Sequence, residues 1–278
     1  VIQKYLSGSL SIERIAIPIP GLVPALKGIK IVQMSDFHFD GLRLSEGLLQ
    51  NAIAKSNEVN PDLVVLTGDY VTDDPQPIYK LAKQLKNLHS RAGIYAVLGN
   101  HDLFRRGARD IITDALVQNG IRVLWNDVAY PLGEELAIVG LPDYWAKQFE
   151  PKLVMERIPP HIPRIVLSHN PDSADDLQPW RVDLQLSGHT HGGQIVIPGV
   201  GPIVGKIQTM HRRLPRQVTR ALPRFLRPGC HKVVDRWEWS EGLHKVGNNL
   251  LYINRGLGTY MPGRLFCPPE VTVITLVS

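Results

Sequence analysis

Apolar residues in this chain fall into short, β-branched runs separated by polar turns. "IKIVQMS" (29–35), "LVVLT" (63–67), "IYAVLG" (94–99), "LAIVG" (136–140), "RIVLS" (164–168), "VDLQLS" (182–187), "QIVI" (194–197), "LLYIN" (250–254) and "VTVITLV" (271–277) each predict a strand. Their near-continuous apolarity suits strands covered on both faces. Between the first three runs and just after them a helical period takes over. Leu44, Leu48, Leu49, Ala52 and Ile53 make one stripe, and Ile78, Leu81, Ala82, Leu85 and Leu88 a second. Ile111, Ile112, Ala115 and Leu116 make a third, closed by Asn119-Gly120. Alternating strands and helices followed by a strand-rich second half predict an α/β layered fold. No internal repeat or low-complexity linker divides the chain, so residues 1–278 read as one domain. The longest apolar runs are strand-length, which predicts no transmembrane span within residues 1–278.

Polar residues gather just beyond these strands. Asp36-Phe37-His38 follows the first, Gly68-Asp69 the second, and Gly99-Asn100-His101-Asp102 the third. His169-Asn170 follows "RIVLS", and Gly188-His189-Thr190-His191 follows "VDLQLS". Ligand sites in α/β sheets lie outside the carboxyl ends of the strands, so five strand ends can meet at one place although their residues span 36 to 191. Each motif alone has an ordinary explanation: Asp-x-His as a turn, Gly-Asp as a helix cap, Gly-Asn-His-Asp as a turn tolerant of positive φ, a lone histidine as structural. Five of the ten histidines lie at these strand ends, however, and one metal site explains them together better than five coincidences do.

Neutral imidazoles and carboxylates suit Mn, Fe or Zn. No thiolate joins the set, which argues against a structural zinc site. Cys230 and Cys267 are too few for a disulfide framework and leave the redox compartment open. A carboxylate can bridge two ions, and two ions roughly 3.5–4 Å apart can clamp the attacking and leaving oxygens of an in-line phosphoryl displacement.

In this order the blocks resemble the signature of the calcineurin-like metallophosphoesterases. "GHTHGGQ" and the tail "YINRGLGTYMPGRLFCPPEVTVITL" resemble, more narrowly, the bacterial membrane-associated phosphodiesterase branch. The resemblance implies two facing mixed β-sheets flanked by helices, with the site at the sheet edge. It implies that Asp36, His38 and His191 hold one metal, that Asn100, His169 and His189 hold a second, and that Asp69 bridges them. Two divalent ions are implied, manganese before iron or zinc. His101 is implied to be a catalytic residue rather than a ligand, protonating the leaving oxygen or stabilising the transition state, with Asp102 orienting it. Asn170, Gln194 and Arg255 are weaker candidates for substrate contact. Gly188, Gly192 and Gly193 are read as the tight turn that lets His189 and His191 face different ions. The implied reaction is phosphodiester or pyrophosphate hydrolysis by a metal-bridging hydroxide.

Net charge adds a further element. Between Gly205 and Arg236 stand Lys206, Arg212, Arg213, Arg216, Arg220, Arg224, Arg227, Lys232 and Arg236 against Asp235 alone, so this stretch is +8 and the remainder −3 of the total +5. On a helical wheel its arginines oppose Met210, Leu214, Val218, Ala221, Leu222, Phe225 and Leu226, although Pro223 would kink such a helix. Residues 207–235 therefore read as a basic amphipathic insertion, either packed on its own domain or laid on an anionic membrane surface. Nucleic acid is disfavoured because aromatic interleaving is absent. A peripheral membrane location, the cytoplasmic face favoured, and a lipid-linked substrate follow as expectations, and the resemblance implies UDP-2,3-diacylglucosamine as a candidate, since some members of the superfamily cleave it. The alternatives are a broad cell-envelope phosphodiesterase or phosphomonoesterase and a non-catalytic membrane-binding scaffold. A chain that begins at Val1 is compatible with removal of a methionine, a signal peptide or an anchor.

Overall fold

The computed structural model describes residues 6–213 and 233–278, and of residues 210–213 the backbone alone. Among the described residues the chain forms two six-stranded mixed sheets and a small hairpin. The first sheet contains β1 (Ser11–Pro18), β2 (Lys30–Met34), β3 (Leu63–Leu66), β4 (Ile94–Ala96), β5 (Ile121–Val123) and β14 (Glu270–Val277), in the order β1-β14-β2-β3-β4-β5. The second contains β6 (Asp127–Ala129), β7 (Ala137–Gly140), β8 (Arg164–Leu167), β9 (Leu184–Ser187), β12 (Gly242–Val246) and β13 (Asn249–Ile253), in the order β12-β13-β9-β8-β7-β6. β10 (Val196–Ile197) and β11 (Gly201–Pro202) form the hairpin. Strands β2, β3, β4 and β5 run parallel, as do β7, β8, β9 and β13, while β14 and β12 pair antiparallel to their neighbours β2 and β13.

The apolar runs are continuous because each strand packs on both faces. Along β2 and β3, Ile31, Leu63 and Val65 point into a layer shared with Ile138, Ile165, Leu167, Leu184 and Leu186 of the second sheet. Their neighbours Val32, Val64 and Leu66 point the other way, onto Leu49, Ala52 and Ile53 of helix Glu46–Glu58 and Ile78, Leu81 and Leu85 of helix Ile78–Leu85. This is the two-residue period of a strand used twice. On the far side of the second sheet, Ala137, Val139 and Val166 meet Val154, Met155 and Leu177. The layers thus run helix, sheet, sheet, helix, the architecture expected from the sequence.

Five strands escaped the sequence reading, among them the two-residue β11 of the hairpin. β1 carries Glu13 and Arg14 in its middle and lies at a sheet edge, so its apolar period is broken. β5 and β6 are three residues long, and β12 is a half-exposed edge strand. The expected basic helix falls largely on residues 214–232, outside the described residues. What is described there is helix Ile203–Arg213 on one side and residues 233–239 on the other. The two meet where Gln208 Nε2 donates to the Val234 carbonyl and where the Gly205 backbone closes on Trp237.

Candidate metal centre

Parallel β2, β3 and β4 bring Asp36, His38, Asp69, Asn100 and His101 to one edge of the first sheet. Parallel β8 and β9 bring His169, His189 and His191 to the same edge of the second. The strand-end loops are stitched together by backbone bonds from Asp36 N to Gly68 O (2.9 Å), His38 N to Asp69 O (3.0 Å) and Gly188 N to His169 O (3.0 Å). The sheets are joined across the site where the His189 N–H donates to both oxygens of Asp36 at 3.0 Å.

Asp36 (φ 52°), His38 (43°), Asp69 (56°), His189 (72°) and His191 (51°) all adopt left-handed backbone. Each such residue costs about 1–3 kcal/mol unless its surroundings impose it, and clusters of them mark functional sites. His189 and His191 therefore share the turn with Gly192 (φ 62°) and Gly193 (φ 74°), two of the glycines to which the sequence reading assigned it. Gly188 contributes by close approach: a Cβ there would stand 2.0 Å from Ser35 Oγ and 2.2 Å from Asp36 Oδ2.

Three groups of potential ligand atoms result, each within 4.8 Å of one another: Asp36, His38 and His191; Asp69, His169 and His189; and His38, Asp69 and His101. Asp69 Oδ2 stands between the first two groups, 3.5 Å from His38 Nε2 and 3.1 Å from His169 Nε2. His38 Nε2 lies 3.1 Å from His191 Nε2, and His169 Nε2 lies 3.1 Å from His189 Nδ1. The opposite ring nitrogens are engaged elsewhere. His38 Nδ1 meets Tyr260 Oη (3.1 Å), His169 Nδ1 meets Thr67 O (2.7 Å), His191 Nδ1 meets Gly258 O (3.1 Å) and His189 Nε2 meets Val233 O (2.8 Å). Fixing one nitrogen of each ring aims the other, the usual support of metal-ligating histidines. Asn100 Oδ1 is buried without a hydrogen-bond partner among the described residues, although buried acceptors are normally paired. An inward-facing set of imidazole nitrogens and carboxylate oxygens with an orphaned amide oxygen fits divalent cations.

The electrostatics agree. Burial drives the pKa of His38, His189 and His191 down to about 3, leaving neutral rings with free lone pairs. For His169, burial pulls the same way, but the carboxylate of Asp69, then Asp36 and Asp143, lift it to about 10. Burial would raise Asp69, yet the charge of His169 and its hydrogen bond hold the carboxyl well below the usual carboxylate range. Without metal, Asp69 and His169 thus form an ion pair.

The remaining predicted residues divide. His101 joins the site: its N–H donates to Asp69 Oδ1 (2.9 Å), and its Nδ1 is held by the Thr72 carbonyl at 2.7 Å. Asp102 does not orient it. The Asp102 carboxylate accepts the backbone N–H groups of Asp69 (2.8 Å), Tyr70 (2.9 Å), Gly99 (2.9 Å) and Val71 (3.3 Å), and so braces the β3 and β4 loops. Burial and then the charge of Asp69 push it up to about 8 against the pull of those N–H groups. Arg255 is engaged by Glu13, Glu241 (3.5 Å) and Glu270 (2.7 Å). Gln194 Oε1 accepts from Tyr260 N at 2.6 Å and holds that loop. Asn170 Oδ1 caps Asp172 N at 2.9 Å, while its buried Nδ2 has no partner among the described residues.

The sequence reading missed Tyr260 and Arg264. The half-buried Arg264 donates through its guanidinium to the carbonyls of Gly258 (2.6 Å), Arg255 (2.8 Å), Gly256 (3.1 Å) and His191 (3.3 Å), so it sets the loop that supports His191. The tail motif "YINRGLGTYMPGRLF" was the available signal.

Residues 29–193 match the model of the calcineurin-like phosphoesterases. Over 92% of this chain and 82% of the relative, the sequence is 32% identical to the uncharacterized metallophosphoesterase YkuE of Bacillus subtilis. It is 32% identical to phosphodiesterase YaeI of Escherichia coli over 89% of this chain and 82% of that protein. Its identity to the UDP-2,3-diacylglucosamine pyrophosphatase LpxG of Chlamydia trachomatis is 28%, over 95% of this chain and 88% of that protein.

Proposed function

This chain belongs to the calcineurin-like phosphoesterase family and is a phosphoric ester hydrolase, and on that premise we propose a two-metal phosphodiesterase or pyrophosphatase that acts on a lipid-linked substrate. The observation that carries the two-metal reading is the single Asp69 oxygen between His38 and His169. Asp36, His38 and His191 would hold one ion, Asn100, His169 and His189 the other, with Asp69 common to both and manganese the first metal to try. Divalent cations in these sets supply Lewis acidity toward the phosphoryl oxygens and an acidified water for the attack.

The chain's own groups do the rest. His101 lies within ligand reach of His38 and Asp69, so geometry also offers it as a ligand. Its Nδ1–H, fixed on the Thr72 carbonyl, leaves Nε2 to carry the proton that the departing oxygen needs. Asp69 Oδ1 anchors the His101 backbone, which ties the position of the acid to the shared ligand. The burial of the ligand rings keeps bulk water from competing for their lone pairs.

Support for a lipid-linked substrate comes from the loops around the site. Leu42, Phe104, Met261 and Phe266 are 67–76% exposed, and large apolar side chains grouped around one site, rather than scattered singly, suit an apolar partner. Each adjoins a residue of the site: Leu42 precedes Arg43, which stacks 4.5 Å over Tyr260; Phe104 N donates to His101 O; Met261 follows Tyr260; and Phe266 precedes Cys267, whose Sγ lies 3.3 Å from His191 O. Such a rim suits a peripheral position at a membrane surface, and no described helix is long and apolar enough to cross one. The test is Mn²⁺-dependent hydrolysis of bis(p-nitrophenyl) phosphate beside UDP-2,3-diacylglucosamine. Turnover of both, abolished by chelation, is expected. Turnover of the aryl diester alone would leave a broad phosphodiesterase, and no turnover with no bound metal would leave a scaffold.

A further inference from the structure

A cleft of about 400 Å³ opens beside the metal centre, lined by Asn100, Arg105, Arg106, Gly107, Asp143 and Trp145 among others. It shares Asn100 with the metal site, and the Trp145 ring meets the His189 ring edge-on at 5.0 Å. We propose that this cleft is the subsite for the second phosphoryl group of a diphosphate-containing substrate, together with the ring which that group carries. The proposal rests on the phosphoesterase reading above and narrows it to a substrate class.

Three independent features converge. First, helix Ala108–Gln118 begins at the cleft with Gly107 (φ 80°) as its N-cap, so no side chain caps it. The Ala108 N–H returns to Arg105 O (3.0 Å) and the Ile111 N–H to Gly107 O (3.3 Å), while those of Arg109 and Asp110 have no partner among the described residues. Free N–H groups at the positive end of a helix of this length bind anions. Second, Arg105 and Arg106 are exposed and make no ion pair among the described residues. Arg109, by contrast, is committed to Asp110 (3.3 Å) and to the face of Trp125 (4.9 Å). Two unspent guanidiniums at a helix N-terminus match a phosphate in both charge and fork geometry. Third, Asp143 is 1% exposed, and while its Oδ1 accepts from Trp145 N (3.0 Å), its Oδ2 is buried with no partner among the described residues. An acceptor left unpaired in a cleft wall awaits a donor from an occupant, a hydroxyl or a held water.

These features set the order of the groups. The phosphoryl group under attack sits at the metal ligands, of which Asn100 is the one shared with the cleft. Its neighbour across the bridging oxygen falls toward Arg105, Arg106 and the helix. The half-exposed face of Trp145 then meets whatever ring follows, a sugar or a base. An aryl diester has no second phosphoryl group and leaves the basic end empty.

Competitive inhibition of the Mn²⁺-dependent aryl diesterase tests this, with inorganic phosphate, pyrophosphate and UDP as inhibitors and free Mn²⁺ held constant. Pyrophosphate and UDP are expected to bind at least tenfold more tightly than phosphate. In the Arg105→Ala/Arg106→Ala protein, two surface changes that spare the fold, that ratio should fall at least fivefold. If UDP exceeds pyrophosphate and Trp145→Ala removes the excess, the ring contact is a sugar or base on Trp145; if not, the subsite is for the phosphoryl group alone and the ring part of the proposal is wrong. A wild-type protein with no preference for two phosphoryl groups, or a double variant that keeps the preference, overturns the subsite. Absence of aryl diester turnover would sink the functional reading instead, and direct titration of the Mn²⁺-loaded protein with pyrophosphate would still decide the cleft.

Discussion

Two residues at the centre make predictions of their own. His169 is held up to about 10 by Asp69 against the pull of burial, so at neutral pH it is a cation. Its folded pKa lies above the ordinary histidine value of about 6.5, so the metal-free protein keeps this ion-pair stability in full below that pH and loses it as pH rises through about 10. Metal entry must displace the same proton. Calorimetric titration of Mn²⁺ at pH 7.5 in buffers of different ionisation enthalpy should therefore show release of about one proton, with apparent affinity rising as pH increases toward 10. Gly188 is the second. In Gly188→Ala the new methyl group lands on Ser35 and Asp36, and we expect about 1–3 kcal/mol of destabilisation with at least a tenfold loss of bound metal by elemental analysis. At this scale the residues that converge on the centre were legible because they are side chains of recognisable type just after recognisable strands. Their supports were not. Thr67, Thr72, Val233 and Gly258 act through backbone carbonyls, which every residue carries, and Tyr260 stands 222 positions from His38. The ion pairs of Arg255 were equally hidden, because Glu13, Glu241 and Glu270 meet it only in the folded chain.

Between elements, Asp102 does what a turn sequence cannot advertise. Its one carboxylate collects N–H groups from the loops after β3 and β4, so the two strand ends move as a unit. Asp102→Ala leaves several buried donors unpaired, each worth about 1–3 kcal/mol, and the protein should lose about 3 kcal/mol or more in urea unfolding. His101→Ala should retain both metals and its stability while kcat falls by about 10²–10⁴, the usual contribution of a general acid. If Asp102 served mainly to orient His101, the aspartate variant would instead keep its stability and shift the pH profile of kcat. The element boundaries predicted from apolar runs lie within a few residues of the observed ones for the buried strands. The strands that were missed are edge strands or three-residue pieces, where one face is wet and the period is too short to detect.

Across the whole molecule each proposed set of ligands spans both sheets: Asp36 and His38 with His191, and Asp69 and Asn100 with His169 and His189. Bound ions would therefore hold the two halves of the sandwich together. Removing them should lower the thermal midpoint by several degrees, since metal at a hundredfold excess over its Kd stabilises the native state by about 2.7 kcal/mol per site. His189→Ala and His191→Ala should deplete different ions first, and equal loss of both would refute the division. The layered fold was visible in the sequence because strands buried on both faces write uninterrupted apolar runs, whereas the meeting of β1 with β14 joins the two ends of the chain and leaves no local trace. The left-handed backbone at Asp36, His38, Asp69, His189 and His191 also bears on engineering. Copying the seven ligands onto another β-sandwich would transplant side chains without the bent main chain that aims them. A working graft has to carry the strand-end loops whole, with Gly188 and Asp102, and the recipient scaffold has to be stable enough to bear their strain.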